Sequence, residues 1–155
     1  MKGIWTIVGL FFTNFILTIS NQNLKQLCLD SNSFNHVANE VLKELSLLND
    51  SETGNIALML LNKINNFLSF IFYYEHTSAF YLNLLNYSKQ YVSTLLDFYE
   101  FSSIFSTLCY DDTSNKFIFA LLEQAKDNKL LQNKFKDLFE INLPLLAIND
   151  NSVKL

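Results

Sequence analysis

Asn55-Ile56-Ala57-Leu58-Met59-Leu60-Leu61-Asn62-Lys63-Ile64-Asn65-Asn66-Phe67-Leu68-Ser69-Phe70-Ile71-Phe72-Tyr73-Tyr74 is an almost unbroken apolar run. Its polar residues Asn62, Asn65, Asn66 and Ser69 recur at helical spacing and make one narrow face. The pattern predicts a helix from Asn55 to about Tyr74, started near Thr53 or Gly54. A helix apolar over most of its circumference must be covered on two or three sides. It therefore belongs in the middle of a bundle, or lines a ligand cavity or a partner interface along part of its length. Core stripes are the commoner arrangement.

The flanking sequence repeats the helical period. Phe34, Val37, Ala38, Val41, Leu42, Leu45 and Leu48 share one stripe, which predicts a helix over Phe34–Leu48 with Ser33 as its N-cap. Downstream, a polar stripe of Asn83, Asn86, Gln90, Ser93, Asp97 and Glu100 opposes an apolar stripe from Tyr81 to Tyr99. That predicts one long helix from Ser78 to about Leu108. Ser114 to about Asn142 carries two stripes slightly out of phase across Asp127-Asn128, so it is either two helices or one curved one. The residue before Pro144 disfavours helix, which places the end near Asn142 and leaves Asn149–Leu155 frayed. Turn-like clusters lie at Leu29–Ser33, Asn49–Gly54, Glu75–Ser78 and Asp111–Asn115.

The chain begins with Lys2 and an apolar run from Ile4 to Ile19, with small residues at Thr18 and Ser20. This is the order of a secretory signal peptide, cleaved before Asn21. The run is short of the roughly 20 residues a membrane span needs, and Thr13 and Asn14 interrupt it. Residues 1–20 are thus expected to be removed and 21–155 to form a single helical domain, extracellular and with no stable membrane span. That remainder holds one glycine, Gly54, and one proline, Pro144. So few breakers exclude an all-β fold, which turns every few residues. The fold class that follows is all-α: an antiparallel bundle of four to six helices.

Cys28 and Cys109 are the only cysteines. In an oxidising compartment such a pair is expected to form a disulfide, stabilising by roughly 4 kcal/mol through the long loop it closes. A plain up-down bundle would hold the two at opposite ends, and a disulfide tolerates only about 7 Å between Cα atoms. The expectation is therefore a topology that is not plain up-down. The third helix would break near Ser102-Ser103, or Asn21–Cys28 would form its own short helix crossing the bundle.

Asn49-Asp50-Ser51 and Asn86-Tyr87-Ser88 are glycosylation sequons, one in an expected loop and one on an expected polar stripe. Other chemistry is sparse. The net charge is −4, every basic residue is lysine, and no basic stripe exists, which argues against nucleic-acid binding. His36 and Glu40, one turn apart, are an ordinary surface pair before they are half a metal site. Asp111-Asp112 precedes a helix, and the segment lacks the Gly and terminal Glu of a calcium loop, so capping is the better reading. No glycine-rich phosphate loop or nucleophile elbow is present. No catalytic residue, metal ligand or cofactor is assigned. The expectation is a small secreted, non-enzymatic interaction protein with an unknown protein partner. The alternative is an extracellular carrier of an apolar small molecule such as a fatty acid, contacted by Phe67, Phe70, Ile71, Tyr74, Tyr81 and Leu84. The outline is common to several classes of small helical protein, and an outline carries no function.

Overall fold

The computed structural model describes residues 9–146. It is all-helical, with ten α-helices, one 3-10 turn and no strand among the described residues. The helices are α1 (Phe11–Thr18), α2 (Asn21–Leu29), α3 (Ser31–Ser46), α4 (Asp50–Lys63), α5 (Leu68–Tyr73), α6 (Glu75–Leu85), α7 (Gln90–Leu96), α8 (Tyr99–Tyr110), α9 (Asn115–Ala125) and α10 (Lys129–Leu146). The expected four to six longer helices are thereby corrected. α6 packs against α3, α4, α5 and α9, while α8 joins α5, α7, α9 and α10. One continuous core results, running from Leu10 through Phe34, Leu60, Ile71 and Phe105 to Leu138.

Side-chain caps place several boundaries. Asp30, not Ser33, caps α3: its Oδ1 accepts from the Asn32 and Ser33 amides at 3.1 and 3.2 Å. The helix therefore starts three residues earlier than the apolar stripe suggests. Asn49 Oδ1 accepts from the Glu52 amide at 2.8 Å and starts α4. Asp111 Oδ2 accepts from the Thr113 and Ser114 amides, at 3.1 and 2.7 Å, just ahead of α9. Asn128 Oδ1 accepts from the Leu131 amide at 3.1 Å, and Gln132 Nε2 donates to the carbonyls of Ala125 and Lys126. These bonds separate α9 from α10. Each supplies a partner to a backbone group that a helix end leaves unpaired.

The twenty-residue apolar run is not one helix. It breaks after Lys63 into a 3-10 turn, Asn65–Phe67, and the following segment is bent by 42°. Asparagine side chains compete with helical backbone bonds, and here Asn65 Oδ1 accepts from the Tyr91 hydroxyl at 2.8 Å. The bend lets Phe67, Leu68, Ile71 and Phe72 enter the core along a different direction from Ile56, Leu60 and Leu61. The expected helix from Ser78 to Leu108 is three: it stops at Leu85 and again at Leu96, whereas Ser102-Ser103 sits unbroken inside α8. The Gln124 side chain donates to the Leu85 carbonyl at 2.9 Å, satisfying one of the acceptors freed at the end of α6. Helix α10 continues through Pro144 to Leu146 instead of ending near Asn142. The expected frayed tail, Asn149–Leu155, lies outside the described residues, as does the start of the apolar N-terminal run.

No disulfide forms. Cys28 on α2 and Cys109 on α8 are both buried, both free and not near each other. Asn21–Leu29 does make its own short helix, but it lays Cys28 against α6, where the His76 ring donates from Nε2 to the Cys28 carbonyl at 2.6 Å. Separate burial of the two sulfurs removes the geometric condition for a bond.

Candidate functional site

Among the described residues, two open clefts and one helix seat are places where this surface could bind. The first cleft, about 340 Å³, lies between the start of α4 and the turn joining α6 to α7. Its lining includes Asp50, Ser51, Asn55, Asn86, Tyr87 and Ser88, so the two sequons meet there. Asn49 and Asn86 are both exposed. Asn49 caps α4 through Oδ1, and Asn86 is the C-cap of α6 rather than a mid-helix residue. The close approach depends on Gly54: a Cβ there would lie 3.0 Å from the Tyr87 carbonyl oxygen.

The second cleft, about 320 Å³, lies between the turn joining α7 to α8 and the outer face of α10. Leu96, Phe98, Tyr99, Leu138 and Ile141 supply its apolar lining, and Asp97, Lys134 and Asp137 its charged part. Lys134 Nζ donates to Asp97 Oδ2 at 2.8 Å. Tyr99 is 82 % exposed and Ile141 69 %, so large apolar surface meets solvent beside an ion pair. Nothing in the hydrophobic period of the sequence marks this place. The helical period puts Tyr99 on the apolar stripe of a single long helix, and the break at Asp97-Phe98 turns it outward.

The third place is the seat of α1. Leu10, Thr13 and Ile16 are buried against α3 and α4, and Ile16 is only 1 % exposed. Phe11–Thr18, expected to end a signal peptide, is thus folded onto the domain.

Of the six residues expected to contact an apolar ligand, Phe67, Ile71, Tyr81 and Leu84 belong to the buried core and Phe70 packs against it. Ile71, Tyr81 and Leu84 are fully buried, Phe67 is buried, and Phe70 and Tyr74 are half-buried. Phe34 packs on Tyr81 and on Phe80, and Phe70 on Tyr74. The Lys25 ammonium sits 5.2 Å from the Phe67 ring centroid and 5.9 Å from that of Phe70, within cation–π range. Neither cleft is lined by any of the six.

Burial governs the titratable groups around them. It pushes the Cys28 thiol up to about 12, and Cys109 likewise. Burial also raises Tyr81, with the Cys28 thiol and Tyr91 adding to the effect. The Tyr81 hydroxyl and the Ser78 hydroxyl on the same helix are buried without a hydrogen-bond partner. These thiols are poor nucleophiles, since the thiolate is the reactive form. His36 meets the Phe12 ring edge-on at 5.9 Å, and no group of three or more His, Cys, Asp or Glu among the described residues could hold a metal. No single helix among the described residues is long and apolar enough to cross a membrane.

Compared with protein-family models, with curated proteins and with solved structures, the chain matches none.

Proposed function

We propose that the chain is a small secreted protein that binds another protein through its surface and catalyses no reaction. The observation that supports it best is the cleft of Tyr99 and Ile141. Aromatic and aliphatic side chains stand there in water, with the Lys134–Asp97 pair beside them. Exposed aromatic anchors with a charged rim are the usual makings of a protein contact. The secreted part of the reading rests on Lys2 and the apolar run to Ile19. The carrier reading is weaker on packing grounds. Phe67, Ile71, Tyr81 and Leu84 are buried in the core, so a ligand contacting them would have to displace packed side chains and forfeit their dispersion energy.

The test is secretion of the full chain from a eukaryotic host, followed by native mass spectrometry. A photo-crosslinking phenylalanine analogue is then placed at Tyr99, and as a control at exposed Lys136. A discrete adduct formed with a secreted or cell-surface protein from Tyr99 and not from Lys136 is expected. A component of a few hundred daltons released on denaturation would instead establish the carrier. A chain that stays inside the cell would sink the secreted reading.

A further inference from the structure

The cleft of Tyr99 and Ile141 has a charge balance that selects what can bind there. Its lining carries three charged side chains, Asp97, Lys134 and Asp137. Lys134 pairs with Asp97 at 2.8 Å, and the Lys134 side chain is only 22 % exposed, so its ammonium is committed within the chain. Asp137 is exposed on the outer face of α10 and has no ion pair or hydrogen bond among the described residues. One negative charge is therefore left over, beside the exposed ring of Tyr99 and the apolar side chains of Phe98, Leu138 and Ile141. Tyr99 opens α8, and the exposed Glu100 in the first turn of that helix offsets the positive end of its dipole, so α8 does not repel a cation from the ring.

We propose that this cleft takes an arginine side chain of the partner protein, with apolar residues on either side of it. The inference rests on the protein-binding reading above and names the chemistry of that partner. A guanidinium stacks on an aromatic face within about 6 Å of the ring centroid and donates parallel hydrogen bonds to a carboxylate. Tyr99 offers the ring and Asp137 the carboxylate, one from the α7–α8 turn side of the cleft and one from α10. The methylene stem then lies over the apolar surface of Ile141 and Leu138. Lysine has no planar face and holds its water more tightly, so it makes the ion pair without the stack. No arginine occurs among the 155 residues. A second copy of this chain therefore cannot supply the guanidinium, and the occupant is a different protein. The net charge of −4 acts in the same direction, since it draws a basic segment toward the surface. An acidic segment would set like charge against Asp137.

The experiment titrates isotope-labelled protein, expressed from the full chain, with a blocked tripeptide of arginine between two leucines, followed by nuclear magnetic resonance. Saturable shifts at the amides of Tyr99, Asp137 and Ile141 are expected. The same tripeptide with citrulline keeps the shape and loses the charge, and it should bind roughly threefold more weakly, the scale of an exposed ion pair. That comparison uses one unaltered protein, so no folding defect can imitate it. In the protein, Asp137→Asn should weaken the arginine peptide by a similar factor and leave the citrulline peptide unchanged. Tyr99→Leu keeps an apolar contact but removes the ring, and should abolish the advantage of arginine over a lysine tripeptide. Equal binding of the arginine and citrulline peptides, shifts confined to another part of the surface, or no saturable shift would overturn the proposal. So would a Tyr99 photo-adduct whose crosslinked segment holds no arginine, a result that leaves the protein-binding reading intact. No tripeptide shift together with no partner adduct from Tyr99 overturns both readings, so the two failures are told apart.

Discussion

Tyr81 and Tyr91 are both fully buried phenols, and they differ in one hydrogen bond. The Tyr91 hydroxyl donates to Asn65 Oδ1, whereas that of Tyr81 has no partner. An unpaired buried hydroxyl costs about 1–3 kcal/mol, and a paired one contributes about 1 kcal/mol net. Tyr91→Phe should therefore destabilise by about 1 kcal/mol, and Tyr81→Phe should stabilise by a similar amount. Urea denaturation of the two variants checks the opposite signs. The thiols make a second prediction at this scale. Below the ordinary thiol value of 9.0 both folded and unfolded chains keep their sulfur protons. Between there and about 12 the unfolded chain releases protons that the fold retains, so stability falls as pH rises through this window. Native protein at pH 8 should accordingly resist iodoacetamide at both cysteines, and urea-unfolded protein should take up two equivalents. Rapid alkylation without denaturant would contradict the burial of Cys28 and Cys109.

Helix lengths follow from competition between local period and available space. A helix from Ser78 to Leu108 would be about 46 Å long at a rise of 1.5 Å per residue, against the roughly 30 Å of a small domain. The chain resolves this by stopping at Leu85 and Leu96, which keeps Tyr91, Val92, Leu95 and Phe101 all inside. The stops fall where asparagine, serine and aspartate reduce the cost of leaving the helix, at Asn86-Tyr87-Ser88 and at Asp97. Gly54 reports on the same arrangement. In a free helix Gly→Ala gains about 1 kcal/mol. Here the new Cβ would meet the Tyr87 carbonyl at 3.0 Å, and backbone yields less readily than a side chain. Gly54→Ala should thus fail to raise the thermal midpoint and should lower it by a few degrees, as calorimetry would show.

At the scale of the whole molecule, aromatic packing joins α8–α10 to one another and to α5. Phe72 of α5 stacks on Phe117 of α9, with ring centroids 3.9 Å apart and planes within 7°. Phe101 meets Phe117 edge-on, and Phe105 meets Phe139 of α10 in the same way. Phe72→Ala removes a fully buried ring at this junction and should cost about 3–5 kcal/mol. Because the core is continuous from Leu10 to Leu138, the loss should appear as a single cooperative transition at lower denaturant. A separate early transition of α8–α10 in hydrogen exchange would show that these helices unfold independently. The exposed ion pairs, such as Lys43–Glu40 and Lys126–Glu123, contribute little by comparison.

The all-α class was legible from the sequence, because scarce glycine and proline and a persistent 3.6-residue period leave no other way to pair the backbone. The capping role of Asp111 and the possible break at Asp127-Asn128 were legible for the same local reason. Three things were settled only by tertiary structure. Compartment and cysteine count predict a disulfide, but whether two sulfurs meet depends on where α2 and α8 dock. The long apolar periods predicted continuous helices, since a break costs little locally and is decided by the width of the core. The Tyr99 cleft and the α1 seat carry no pattern of their own: each joins residues distant in sequence, Tyr99 with Ile141 and Glu44 with Thr13, which only the packed fold brings together.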